Sequence, residues 1–222
     1  MTKQAKNFIK NLSKNLAHTQ AIGEYMLVYP TNLIVRGIHL ERTSRKDEYY
    51  VWRFLFPIYS PIVSTLPLTY SKRISLDGRG DSIINLGSNV EEQASLIAEK
   101  IEKIQDYKEI LENIDVNDFL RICRPSRENL SPVRALNLAV SYYIIGDISK
   151  VREILANLIA QEKPFFFLTE AKEIANSMLK WLVNDPIAFN EYISNTCKRN
   201  ADKYFPGLIT GSFNEFASLK DL

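Results

Sequence analysis

Cysteine is scarce in this chain, with two among 222 residues. Cys123 and Cys197 lie far apart in sequence, so no disulfide framework is expected. Two thiols in a reducing compartment are the plain reading, with a pair between them left open. A run of about 18 apolar residues, the minimum for a membrane-crossing helix, is also missing. The first residues lack the apolar core of about 7–15 residues that marks a secretory signal, so a cytoplasmic protein is expected. Neither sign of charge dominates. Lys and Arg number 28 against 26 Asp and Glu, a net +2, which gives no field for nucleic acid or a membrane. The chain has no glycine-rich phosphate loop and no Gly-x-Ser-x-Gly elbow. Two histidines, His18 and His39, and two distant cysteines do not make zinc spacing. No cofactor or metal is expected.

Apolar side chains are plentiful at 45%, enough for a substantial core. The Lys, Asn and Ile content suits an AT-rich bacterial genome. Residues 1–18 are amphipathic. Phe8, Leu12 and Leu16 recur every fourth residue, and Lys3, Lys6, Lys10 and Lys14 recur on the opposite face. That pattern predicts a surface helix, with docking on an anionic membrane as a weaker alternative.

The period then changes. Residues 24–29 and 33–42 read as strands around a Pro30-Thr31-Asn32 turn. Residues 49–59 are a stronger strand, with Trp52, Phe54 and Phe56 on one face and Tyr49, Val51, Arg53 and Leu55 on the other. The polar residues 45–48 suit an antiparallel hairpin between the second and third strands. Pro57, Pro61 and Pro67 limit regular pairing beyond it. Residues 66–74 and 82–86 add short strands. Asn89 opens a helix running to about 113. Further helices are predicted over 116–123, 131–145, 147–161, 169–183 and 185–204, from Ser131-Pro132, Gly146-Asp147, Thr169 and Asp185-Pro186. Strands first and helices after indicate α+β: a small antiparallel sheet with flanking helices, then a helical bundle of hairpins. The expected division is an α+β domain over 1–113 and a helical domain over 114–222, packed on the first.

Asn137, Leu138, Ala139, Tyr142, Tyr143, Gly146 and Asp147, followed by Val151, Leu155, Leu158 and Pro164, resemble one tetratricopeptide repeat over residues 135–164. No second copy stands at the family's spacing. A peptide groove needs several stacked repeats, so the resemblance implies one antiparallel helix pair and tilts toward protein contact.

Three further features carry candidate chemistry. His39 and Glu41 share a strand face, and Arg53 lies on the next strand. Brought together, they suit anion binding or proton movement; solvated residues on an open sheet face are the alternative. Residues 78–82, Gly-Arg-Gly-Asp-Ser, contain a tripeptide that resembles the integrin-recognition motif of matrix proteins, and a tight turn accounts for the same residues. The aromatic strand exceeds what one small core face needs, and Tyr, Trp and Arg dominate binding hot spots. The expected function is therefore a non-catalytic intracellular protein-interaction protein, an adaptor or a bacterial immunity-type protein. Its expected contacts are Tyr49, Trp52 and Arg53 on the strand and Tyr142 and Tyr143 on the helical hairpin. The alternative is an enzyme or small-ligand binder using His39, Glu41 and Arg53.

Overall fold

The computed structural model describes residues 2–29, 31–63, 70–76, 83–86, 89–103, 114–123, 130–162 and 164–206. The fold is α+β, an antiparallel sheet followed by helices. The chain divides into two units: residues 1–31, 35–56 and 67–114, and residues 32–34, 57–66 and 115–222.

The first unit opens with α1 (Lys3–Asn15). The side-chain oxygen of Thr2 accepts from Ala5 N at 3.2 Å, closing one of the free amides at the helix start. Ala5, Phe8, Ile9 and Leu12 are fully buried, each of the larger three contributing about 1.5–3 kcal/mol. The lysines on the far side remain exposed. The apolar face that membrane docking would require is thus already covered.

β1 (Thr19–Ile22) and β2 (Tyr25–Val28) form a hairpin in which Ile22 faces Tyr25. Gly23 supplies the positive φ of 60° that the tight turn demands. β1 is a strand that the sequence reading did not anticipate. β3 (Ile34–Arg42) follows, then a turn at Asp47 (φ 60°) and β4 (Glu48–Pro57). The sheet order is β1-β2-β3-β4-β5, with β6 also on β4. β4 ends at Pro57, whose missing N–H cannot continue the ladder.

β5 (Ser71–Arg73) and β6 (Ile83–Asn85) lie end to end along the same edge of β4. Ile74 N donates to Val51 O at 2.8 Å, and the next residue of β4, Tyr50, is opposite Ile83. Residues 75–82 join these two segments of the edge. Among them, residues 77–82, which include the Arg-Gly-Asp tripeptide, lie outside the described residues.

α2 (Val90–Glu102) starts at Asn89, whose side chain accepts from Glu92 N. Residues 104–113, where this helix was expected to continue, lie outside the described residues. Phe8, Leu12, Ile38, Val51, Ile84 and Ile97 belong to one core, so α1 and α2 cover one face of the sheet. Gly37 is required where β3 meets β2. A Cβ there would lie 2.1 Å from the Met26 carbonyl oxygen.

The second unit contains α3 (Val116–Ile122), α4 (Pro132–Ile144), α5 (Ile148–Ile159), α6 (Leu168–Asn184) and α7 (Pro186–Tyr204). Asp115 and Asp118 form a capping box. Ser131, Asp147 and Asp185 cap α4, α5 and α7 as their sequence pattern predicts. α6 differs. It starts at Leu168 after Phe167, which is left-handed at φ 66° and makes no side-chain cap, and Thr169 sits inside the first turn. Gly146 takes φ 82° in the α4–α5 turn.

Residues 57–62 also belong to this unit. Ile58 and Tyr59 are fully buried. The Asn200 amide donates to Ile58 O at 2.7 Å and to Ser60 O at 2.9 Å. The Tyr59 and Ser141 hydroxyls are 2.7 Å apart, and Ser141 donates to Asn137 O at 2.7 Å. Residues far apart in sequence thus build one core.

Candidate functional site

Side chains alternate across a strand. Because Met26, Ile38, Leu40, Tyr49, Val51 and Ile74 point to the helix-covered side, their neighbours point to the other. That second face carries Tyr25 from β2, His39 and Glu41 from β3, Tyr50, Trp52 and Phe54 from β4, and Arg73 from β5. Cross-strand pairing places Tyr25 opposite His39 and Trp52 opposite Arg73.

Glu41 organises the outer layer. Its Oε2 accepts from Trp52 Nε1 at 2.8 Å and lies 3.7 Å from the Arg73 guanidinium. The Arg73 Cζ stands 3.8 Å from the centre of the Tyr50 ring and 4.9 Å from that of Trp52. Cation–π attraction and one shared carboxylate thus fix the rotamers of three side chains. Tyr50 and Trp52 are half-buried. The Arg73 and Glu41 side chains are 33% and 40% exposed, and Ile83, opposite Tyr50, is 48% exposed.

His39 lies beneath this layer. Its ring is parallel to Trp52 within 6°, centroids 6.2 Å apart, and Tyr25 and Phe54 meet it edge-on or tilted. His39 is 8% exposed. Its Nε2 has almost no accessible surface and no hydrogen-bond partner among the described residues. Burial lowers its pKa, opposed by the Leu40 backbone and by Glu41 and Glu24. A buried, neutral imidazole under an indole is poorly placed to exchange protons with a substrate.

The expected trio does not converge. Arg53 sits between Trp52 and Phe54 in β4 and so faces the helix side, opposite Lys72 across the ladder. Tyr49 also faces that side and is 1% exposed, its hydroxyl 2.8 Å from that of Thr2. Of the strand residues expected at a surface, Trp52 alone is on the outer cluster. Tyr143 packs inside the helical unit. Its hydroxyl donates to Asn190 Oδ1 at 2.9 Å and its ring lies 4.2 Å from that of Phe189. Tyr142 is half-buried on the same helix.

Tyr50, Arg73 and Ile83 complete the cluster. Tyr50 was within the aromatic excess and shares the parity of Trp52. Arg73 and Ile83 depend on a strand register that the sequence does not reveal.

Three of the concavities in the first unit lie elsewhere. One, of about 330 Å³, runs between β6 and α2. A second of about 420 Å³ is lined by Thr2, Glu24, Leu40, Arg42 and Tyr49. A third of about 510 Å³ is polar and lies between α1 and the start of α2. None of the three includes His39, Glu41 or Arg53. Among the described residues, no three His, Cys, Asp or Glu side chains gather as a metal site. No helix there is long and apolar enough to cross a membrane. No family model, curated protein or solved structure matches this chain.

Proposed function

We propose that this chain is a non-catalytic intracellular protein-binding protein, of adaptor or bacterial immunity type. Its contact centre is the Tyr50, Trp52 and Arg73 cluster. The observation that carries the reading is the Glu41 clamp, which holds a tryptophan and an arginine in place at a partly exposed surface. Tyr, Trp and Arg are the residues in which binding energy concentrates. Fixing their rotamers before contact lowers the ordering cost of association, about 0.5–1.5 kcal/mol for each immobilised side chain. Cys197 is a buried free thiol, which supports a reducing location. The enzyme alternative loses its support because Arg53 faces away from His39 and Glu41.

The test is site-specific photo-crosslinking in the native cell. A benzoylphenylalanine replacing Tyr50 is expected to give one discrete adduct. The same probe replacing the exposed Lys10 on α1 is expected to give none. Equal adducts at both positions, or none at Tyr50, contradict the reading.

A further inference from the structure

Among the described residues, nothing pairs with the outer edge of β6. Leu86 N donates to Asp47 O at 2.8 Å. Antiparallel ladders alternate bonded and non-bonded positions, so Asn85 and Ile83 direct their N–H and C=O away from β4. Among the described strands, β6 pairs with β4 alone.

Beside that edge runs the groove of about 330 Å³ between β6 and α2. Its floor is apolar, with Phe8, Ile84, Leu86 and Ile97. Ile83 and Leu96 stand on its rim, 48% and 52% exposed. Two polar groups line it without a match. Gln93 Oε1 is buried with no hydrogen-bond partner among the described residues. Lys100 makes no ion pair there, and its neighbours one turn back on α2 are Leu96 and Ile97, neither of them acidic.

A strand edge that no described residue pairs, an apolar slot and an unmatched cation together specify a ligand. We infer that this groove takes an extended peptide from a partner protein, one that alternates aliphatic residues with a carboxylate. The peptide adds a strand to β6 through Ile83 and Asn85. An aliphatic side chain enters the slot, a backbone or side-chain N–H reaches Gln93 Oε1, and the carboxylate meets Lys100. A second copy of this chain fits less well. Its own β6 reads Ile83-Ile84-Asn85 and offers no carboxylate to Lys100. The inference rests on the reading of this chain as a protein-binding protein and names a second contact on it.

The experiment pans a phage library of random dodecapeptides against the full chain, then titrates the enriched peptides by fluorescence anisotropy. Enriched sequences are expected to alternate aliphatic residues with at least one Asp or Glu. Ile83→Pro removes an outward N–H without taking a ladder bond, and it is expected to abolish binding. Lys100→Glu is expected to weaken it at least tenfold. Leu96→Asp, on an exposed helix position, is expected to do the same should Ile83→Pro unfold the edge. In the wild type, peptide is expected to slow amide exchange at Ile83 and Asn85. No enrichment, selected peptides without an acid, or equal binding by all three variants overturns the inference. So does a wild-type dimer that Ile83→Pro dissolves. Peptides lost with Trp52→Ala or Arg73→Ala but retained by Lys100→Glu and Leu96→Asp overturn the groove and leave the aromatic reading standing.

Discussion

Asn200 makes a sharp prediction for the helical unit. The residue is 1% exposed, and its amide donates to two carbonyls of residues 57–62, at 2.7 and 2.9 Å. Leucine nearly preserves the volume and removes both donors. Each orphaned buried acceptor costs about 1–3 kcal/mol, and each carbonyl retains a second lone pair, so Asn200→Leu is expected to lose about 2–4 kcal/mol. With a urea slope of about 2 kcal/mol per molar, the midpoint falls by about 1–2 M. The readout is Trp181 fluorescence in a Trp52→Phe background, which reports the helical unit through the one tryptophan that remains of the two. Asn200→Asp is the control. It aims carboxylate oxygens at the same carbonyls and is expected to cost at least as much as leucine. A midpoint within about 0.3 M of the parent for Asn200→Leu would refute the view that this amide holds residues 57–62 in the core.

Two other perturbations test the sheet unit. Gly37→Ala is expected to cost about 1–3 kcal/mol, because its Cβ would collide with backbone, and chemical denaturation measures it. Burial depresses the His39 pKa, so in the acid range the unfolded chain binds the proton that the folded chain refuses. Stability therefore falls as pH drops through the unfolded value of about 6.5, and it levels off below the folded value. His39→Gln is expected to remove that part of the slope between pH 7.5 and 5.5, and an unchanged slope counts against the burial argument.

The fold class was legible because its signals are local. Ser131-Pro132, Asp147 and Asp185-Pro186 each set a helix start from within a few residues of sequence. β1 escaped because Thr-Gln-Ala-Ile is short and only weakly strand-forming; Gly23 was its one signal. The membership of residues 57–62 in the helical core depends on Asn200 and Ser141, more than 80 residues away, and no local pattern carries it. At the site, part of the answer was in the sequence. Strand alternation alone separates Tyr49 and Arg53 from Trp52, and applying it fully would have kept them out of one patch. Arg73 was not legible, because it reaches Trp52 only through the pairing of β5 with β4.

The protein-binding proposal stands or falls on Trp52 and Arg73 as a protein contact. The most direct measurement is quantitative affinity purification of the tagged full chain from its native cell, beside Trp52→Ala and Arg73→Ala variants of equal thermal stability. A hot-spot truncation costs about 2 kcal/mol or more, roughly a 30-fold loss of affinity. The wild type is expected to retain one partner in stoichiometric amount, and both variants are expected to lose it. A partner held equally by all three proteins, or none above background with the wild type, contradicts the claim.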